Sequence, residues 1–243
     1  MASAAEQMAA NISWGTLGKA TELRQRIFFT LGLLIVYRLG TYIPVPGIDG
    51  NALRDFMEQA AAGLGGVLSM FTGGALGRMG IFALGIMPYI SASIIVQLMT
   101  AMVPKLEQLK KEGEQGRKKI NQYTRYGTVF LATAQAYGLA VSLEAGGLVA
   151  EPGWFFRAAC VITLVGGTMF LMWLGEQITE RGIGNGISMI IFAGIVAGLP
   201  KAVGGTLELV RTGVMNALAV LALFALVLAV TAFVVFVERG QRR

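Results

Sequence analysis

The stretch from Ile81 to Met102 carries no charged side chain, yet Gly85 and Pro88 interrupt it. At about 1.5 Å per residue, a helix of this length would cross a hydrocarbon core of roughly 30 Å. A proline inside a helix removes a backbone donor and kinks the chain, and lipid cannot replace the lost hydrogen bond. The sequence therefore predicts a membrane-spanning helix, kinked at Pro88, that lies inside a helical bundle or lines a cavity.

The segment just before this helix is also apolar, but it is too short to cross a membrane. Leu64–Leu76 is bracketed by Gly65 and Gly66 on one side and by Gly73 and Gly74 on the other. A helix of this length cannot span a hydrocarbon core. We interpret the segment as a re-entrant or plug-like half-helix, and an interfacial helix that serves only packing is the alternative.

The composition places the chain among multi-span membrane proteins, because 55% of the residues are hydrophobic, 14% are charged and the mean hydropathy is +0.64. The chain has no histidine, which argues against zinc sites, catalytic triads and other enzymatic chemistry. With one cysteine, Cys160, no disulfide framework is possible. We expect no enzyme activity, no cofactor, no metal and no nucleic-acid substrate. The first 22 residues do not resemble a cleavable signal peptide.

Apolar runs bounded by charges, glycines and prolines predict an all-α bundle of six membrane spans. The predicted spans are residues 27–42, 81–102, 126–143, 154–174, 183–199 and 216–237. Pro44 and Pro46 should end the first span, Pro200 should end the fifth, and Lys201–Thr212 should form an outer connection. Most of the 20 lysine and arginine residues then fall on the side of the two termini, which predicts that both termini are cytoplasmic.

Three polar features remain after this assignment. Arg38 lies inside the first span, where we expect it to snorkel or to face the bundle interior rather than to act directly. Pro104–Arg125 is strongly basic, and it is either a topology-setting loop near anionic headgroups or a docking surface for a soluble partner. Gly175–Ser188 has three glycines, but no strand precedes it, so we expect a tight turn between antiparallel helices rather than a phosphate loop.

Three long stretches of the sequence resemble one family of membrane channels. They are FTGGALGRMGIFALGIMPYISASIIVQLM at 71–99, KKEGEQGRKKINQYTRYGT at 110–128 and LMWLGEQITERGIGNGISMIIFAGIVAGLP at 171–200. These stretches are similar to the SecY family, the channel subunit of the bacterial protein translocase. The resemblance also includes IVYRLGTYIPVPGID at 35–49 and FVVFVERGQRR at 233–243, and it covers nearly the whole chain except the tail before about Lys19. Members of the family have ten spans and this chain resembles the first six, so we expect the natural protein to continue beyond Arg243.

The resemblance implies a fold built as a clamshell of two inverted halves, of which this chain would supply the N-terminal half and the first span of the second. It divides the chain into a cytoplasmic tail (1–23), the N-terminal half of the channel (24–203, with a plug at 64–78), an outer hinge loop (204–215) and the sixth span (216–243). The implied function is passage of unfolded polypeptides across the bacterial cytoplasmic (inner) membrane and of membrane proteins sideways into it.

The resemblance also implies roles for particular residues. The implied pore ring is Ile86, Ile90, Ile187 and Ile191. The implied plug includes Leu64, Val67, Leu68, Met70, Phe71, Thr72, Gly73 and Gly74. The implied lateral gate is bordered by Ser91, Ile94 and Ile95. The basic residues suited to cytoplasmic docking are Lys110, Lys111, Arg117, Lys118 and Lys119. On spacing alone, isoleucines four residues apart are better explained by bundle packing, and the resemblance favours the pore ring instead.

By the same resemblance the partners would be the SecE and SecG subunits, the SecA motor ATPase, the ribosome, a translocating polypeptide and anionic lipids. SecE would embrace Pro200–Gly213, whereas the main docking loops for SecA and the ribosome are absent from this chain. Two other functions stay open: half of an inverted-repeat secondary transporter, and a structural subunit that only binds partners. A transporter should place ion-coordinating carboxylates at midplane, and the interior of spans two to six offers none.

Overall fold

The computed structural model of the chain describes residues 21–50, 52–53, 55, 72–213 and 216–240. In this part the regular structure is helical, with two isolated β-bridges, and the helices are α1 (Thr21–Gly40), α2 (Met87–Met102), α3 (Pro104–Lys111), α4 (Glu114–Ala145), α5 (Trp154–Arg181), α6 (Gly186–Arg211) and α7 (Ala217–Gly240). The chain divides into two units, Met1–Val196 and Ala197–Arg243. The predicted tail and the plug residues Leu64, Val67, Leu68, Met70 and Phe71 lie mostly or wholly outside the described residues.

Pro88 does not kink a helix, and this part of the prediction is wrong. Residues 81–86 form successive turns, and Pro88 stands in the first turn of α2. A proline is well tolerated there because the first amides of a helix have no intrahelical partner. The predicted span places residues 81–86 at membrane depth, and protein rather than lipid covers part of their backbone. A Cβ at Gly167 of α5 would collide with the carbonyl oxygen of Ile81, so only glycine lets α5 lie against these turns.

Several predicted boundaries also differ from the observed ones. The predicted third span is the C-terminal part of α4, which begins at Glu114, and α5 continues to Arg181, so the turn before α6 is confined to residues 182–185. The side-chain oxygen of Asn185 caps α6 by accepting the amides of Ile187 (3.0 Å) and Ser188 (3.4 Å). Pro200 does not end α6, which continues to Arg211, so the predicted outer connection is largely helical. Prolines inside membrane helices are tolerated where other groups satisfy the freed carbonyl.

Small side chains allow α4 to pack closely against both α2 and α5. The buried positions of α4 are Gly116, Thr124, Thr128, Ala132, Ala136, Ala140 and Leu143. Small residues on one face let helix backbones approach each other. At Gly127, an added Cβ would lie 3.4 Å from the Cβ of Ala92 on α2. Leu164 and Cys160 of α5 fill the seam on the other side of α4 together with Ala136.

Membrane-length helices account for much of the described chain. By length and composition, α5, α6 and Leu218–Glu238 within α7 could each cross a membrane, and α2 and α3, bent by 100° at Val103, would together count as a fourth span. The remaining two predicted spans correspond to α1, which carries three arginines, and α4, whose membrane-length part includes Gln135 and several threonines. For these two, spanning stays a prediction. In the second unit, the side chains of α7 from 218 to 238 are exposed, except that of Val220, which is partly buried.

Candidate pore region

The first turn of α2 positions two of the predicted ring residues. Ile86 is the N-cap residue of α2, and its carbonyl accepts the amide of Ile90 at 3.1 Å. This bond is the first of the helix and fixes the two isoleucines one turn apart. Ile86 is buried, whereas Ile90 is partly buried. Both side chains therefore stand where the irregular chain of 81–86 becomes a regular helix.

These isoleucines line a cavity of about 140 Å³ inside the first unit. Its walls are Tyr37 of α1, Thr72, Gly85, Ile86, Met87 and Ile90 of the chain around the start of α2, Leu171 of α5, and Ile190 and Ile191 of α6. The lining is almost entirely apolar, since threonine and tyrosine contribute its only hydroxyls. A narrow apolar constriction of this kind resists wetting and so hinders hydrated ions.

The structure brings together three of the four predicted ring residues. Ile86, Ile90 and Ile191 line the cavity, whereas Ile187 packs against the adjoining core, with its Cγ1 3.0 Å from the position that a Cβ on Gly175 would take. Sequence reasoning missed Ile190, which is 2% exposed and lines the cavity. The signal was present, because residue i+3 shares a helix face with residue i as closely as i+4 does.

Thr72 is the only predicted plug residue that reaches this cavity in the described part of the chain. It is buried, and its hydroxyl oxygen accepts the amide of Leu76 at 3.2 Å. Its methyl group faces Gly85, where an added Cβ would lie 3.1 Å from Thr72 Cγ2 and the backbone has φ +57°. Residues 72–79 form turns rather than a helix. The absence of a side chain at Gly85 therefore leaves room for the methyl group that borders the cavity.

Two arginines hold the carbonyl of Gly73, the next predicted plug residue. Arg38 of α1 donates Nη1–H to this oxygen at 2.7 Å, and Arg78 donates Nη2–H to it at 3.4 Å. Both guanidinium groups also lie over the ring of Tyr42, at 5.3 Å and 4.3 Å from its centroid. A Cβ at Gly73 would lie 3.2 Å from the Cα of Gly194 on α6. Arg38 thus faces the bundle interior, which was one of the two predicted placements.

Stacked aromatic rings connect the wall of the cavity to α5. Tyr37 stacks on Phe82 with ring centroids 6.1 Å apart, Phe82 stacks on Phe170 at 6.0 Å, and Phe170 contacts Trp173 at 5.7 Å. Aromatic pairs in such offset geometries add attraction beyond the area that they bury. The rings fix the turn at Phe82 between α1 and α5, and this turn leads directly into Ile86.

The predicted gate residues lie on α2, beside its buried stripe. The buried stripe consists of Pro88, Ala92, Val96 and Thr100. Ser91 is partly buried, while Ile94 and Ile95 are 52% and 47% exposed. About half of each isoleucine side chain therefore stays uncovered by the described chain and forms an exposed apolar surface.

The predicted docking residues lie on two helices that meet at a short turn. Lys110 and Lys111 end α3, and all five docking side chains are exposed. Lys111 pairs with Glu107 at 2.7 Å, and this hydrogen bond holds the pKa of the Glu107 carboxyl below its usual value. A Cβ at Gly116 would collide with the carbonyl oxygen of Leu109, so glycine lets α4 fold back against α3. The basic residues thus share one compact helical corner.

These features define a polytopic α-helical membrane protein with a narrow, isoleucine-lined cavity between its helices. Solved structures support this class. A protein-conducting channel matches with a TM-score of 0.58 at 19% identity, over 80% of this chain and 43% of the other. Sec61 in a canine ribosome–channel complex from the endoplasmic reticulum matches with a TM-score of 0.54 at 20% identity, over 80% and 43%. At these identities the similarity shows the shared fold.

The SecY family model matches residues 80–243, so the chain belongs to the SecY family. The protein translocase subunit SecY of Escherichia coli K12 is 58% identical over 230 residues, which are 93% of this chain and 52% of that relative. The SecY subunit of Pseudomonas aeruginosa is 58% identical over 226 residues, 93% of this chain and 51% of the relative. The predicted family and the all-α membrane fold are confirmed. The chain spans about half the length of these relatives.

Proposed function

We propose that this chain is the N-terminal part of a channel-forming translocase subunit, which passes unfolded polypeptides across the bacterial inner membrane and membrane proteins sideways into it. The observation that carries the proposal is the isoleucine-lined cavity at the start of α2. Three isoleucines from two helices, together with Ile190, surround a space of about 140 Å³ that Thr72 borders on another side. Apolar side chains can exclude hydrated ions when the channel is idle and yield to a passing chain.

In this proposal Ile86, Ile90, Ile187 and Ile191 act as the pore ring, and Ile190 joins them. Residues 64–78 act as the plug, and within it the carbonyl of Gly73 accepts hydrogen bonds from Arg38 of α1 and from Arg78. Ser91, Ile94 and Ile95 border the lateral gate, and the exposure of the two isoleucines suits a surface that a span of the other half would cover.

The proposed partners follow from family membership and from the charge of the chain. SecE and SecG would bind as neighbouring subunits, and the SecA motor or the ribosome would approach from the cytoplasm. The basic corner formed by α3 and the start of α4, which includes Lys110, Lys111 and Arg117, is suited to anionic lipid headgroups or to a soluble partner on that side. Both termini of the chain would then be cytoplasmic.

The experiment joins this chain to the C-terminal half of the Escherichia coli relative and expresses the fusion in cells depleted of their own SecY. We expect the fusion to restore export of a secretory protein. In planar bilayers, replacing both Ile90 and Ile191 with serine should raise ion conductance at least several-fold, because hydroxyl groups help water to enter the constriction. Assembly should fall only modestly.

The matched control is Ile35→Ser, which changes an isoleucine of α1 that is 61% exposed and does not line the cavity. Conductance of this variant should equal that of the parent. If the serine pair leaves conductance unchanged while lowering thermal stability, the isoleucines are bundle core, since buried truncations in soluble proteins cost roughly 2–5 kcal/mol each. A fusion that assembles and exports nothing would argue for a purely structural subunit.

A further inference from the structure

A second and larger cavity opens on the side of the first unit, between α4 and α5. Its volume is about 430 Å³, within the range of sites that hold small molecules. The lining residues are Phe130, Thr133, Ala134 and Tyr137 of α4 and Trp154, Arg157, Ala158, Val161 and Ile162 of α5. On each helix these positions follow the spacing of one face. The cavity is a groove that runs along both helices.

The floor and the walls of the groove differ in side-chain size. Ala134 and Ala158 leave space between the helices, whereas Phe130, Trp154 and Ile162 stand at its borders and are 72–78% exposed. The neighbouring Phe155 is also exposed. A lipid-facing helix surface that only packed against fluid chains would not need such a recess. Its shape instead suits a slender apolar object that lies lengthwise between the two helices.

One end of the groove is charged. Arg157 donates Nε–H to Glu144 Oε2 at 2.7 Å, and its Nη2 lies 2.6 Å from the same oxygen. The other carboxylate oxygen accepts the amide of Gly153 at 3.0 Å. The Arg157 side chain is still 36% exposed. Tyr137 of the groove also hydrogen-bonds this guanidinium. Because a guanidinium has five N–H donors in a planar fork, donors remain for a further acceptor after the bonds to Glu144 and Tyr137.

The other end of the groove is apolar. On α4, Phe130 lies seven residues before Tyr137, and on α5, Ile162 lies five residues after Arg157. At about 1.5 Å per residue, both are roughly 8–11 Å from the charged end. Trp154, whose amphipathic ring favours the membrane–water interface, stands at the charged end. The groove therefore changes from charged to apolar in the same direction as a lipid molecule.

We propose that this groove binds one glycerophospholipid, with its phosphate on Arg157 and one acyl chain between Ala134 and Ala158. Charge complementarity selects this occupant, because arginine pairs with phosphate through charge-assisted hydrogen bonds while the rest of the lining is suited to hydrocarbon. Glu144 occupies one edge of the guanidinium, competes with the phosphate for its charge and does not touch the lipid. The site is separate from the cavity at the start of α2, so the proposed channel function does not depend on it.

The native Trp154 supplies a reporter at the groove itself. With Trp14 and Trp173 replaced by phenylalanine, the fluorescence of the 243-residue chain in detergent micelles comes from Trp154 alone. Phosphatidylglycerol with brominated acyl chains is added as the probe, because bromine quenches nearby indole rings. We expect quenching to saturate at about one lipid per chain.

Three variants test where the lipid lies. Ala134→Phe fills the groove and Arg157→Gln removes the phosphate ligand, and each should raise the lipid concentration for half-maximal quenching by at least about tenfold. Glu144→Gln frees the guanidinium and should leave this concentration unchanged or lower it. Ala101→Phe, at an exposed position of α2 outside the groove, is the matched control and should have no effect.

The outcomes separate the lipid from other occupants. Quenching that grows in proportion to the brominated fraction, without saturation, would overturn the proposal, as would equal effects of Ala134→Phe and Ala101→Phe. Loss of binding in Glu144→Gln would also overturn it, since the ion pair would then be needed only for local structure. If a second copy of the chain fills the groove instead, light scattering should show a dimer that Ala134→Phe dissociates, with no saturable quenching.

Discussion

Replacement of Arg38 by methionine should release the turn that borders the pore cavity. The Nη1 atom of Arg38 lies 2.7 Å from the carbonyl oxygen of Gly73, 35 positions along the chain. A hydrogen bond from a charged donor contributes about 1.5–3 kcal/mol to stability. Since every 1.4 kcal/mol changes an equilibrium tenfold, the opened population of this turn should rise roughly 10- to 100-fold. Methionine keeps the apolar stem and therefore most of the packing.

Amide hydrogen exchange of the peptide 72–82 measures this population. Within it, Gly80 donates its amide to Ala75 at 2.8 Å and Met79 donates to Leu76 at 3.0 Å, so both amides should be protected while the turn is closed. Exchange from local opening follows the opening equilibrium. We expect both amides to exchange faster by the same factor as the opened population.

The control is Arg24→Met, which removes an exposed arginine near the start of the same helix. Arg78 gives a second comparison, because its weaker contact with Gly73 at 3.4 Å can partly replace Arg38. The double variant should therefore exceed the sum of the two single effects. Exchange rates in Arg38→Met within about twofold of those in the parent would refute the role of this hydrogen bond.

Three shorter predictions follow from other contacts. Gly167→Ala should lower the free energy of unfolding by about 1–3 kcal/mol in a detergent titration, because its Cβ meets a backbone carbonyl, whereas Gly166→Ala, where a Cβ meets nothing, should not. The hydrogen bond from the Arg157 guanidinium holds the pKa of the Glu144 carboxyl below its usual 4.5. The ion pair therefore stabilises the fold fully above pH 4.5, and this stabilisation is lost as the pH falls through the lowered pKa. The thermal midpoint of unfolding should drop in this pH range, and Glu144→Gln should abolish the drop. With the native cysteine replaced, Ala150→Cys should react with impermeant reagents from outside and Gln115→Cys from the cytoplasm, and the reverse pattern would overturn the orientation.

The positions of the helices could be predicted because their signals are local. Apolar runs of membrane length and the charges that bound them are read directly from the sequence. They placed each predicted span on an observed helix to within three residues, except that residues 81–86 precede α2. Prolines misled the prediction at both Pro88 and Pro200. A proline has different consequences at the start of a helix, inside it and after it, and the sequence alone did not distinguish these positions.

The contacts of the candidate pore could be predicted only in part, because they join distant segments. The resemblance to the family implied Ile86 and Ile90, whereas their spacing, a local property of one helix, indicated only that they share a face. The roles of Tyr37 and Leu171 depend on how α1 and α5 pack against the start of α2, and no spacing rule reports that. Likewise, Arg38 was expected to snorkel or to face inward, and only the folded chain brings Gly73 to its guanidinium.

The threonines on the buried face of α4 place no polar demand on the helices that pack against it. Thr124 donates its hydroxyl to the carbonyl of Ile120 at 3.1 Å, and Thr128 donates to that of Thr124 at 2.8 Å. Each hydroxyl is thus satisfied by its own helix and needs nothing from the neighbour. Between Thr124 and Ala140 the buried face of α4 therefore offers no polar group that must pair across the seam. The ion pairs between α4 and α5 lie towards the two ends of the seam, Arg125 with Glu176 and Arg157 with Glu144. These two pairs set the register of helices that otherwise meet through shape.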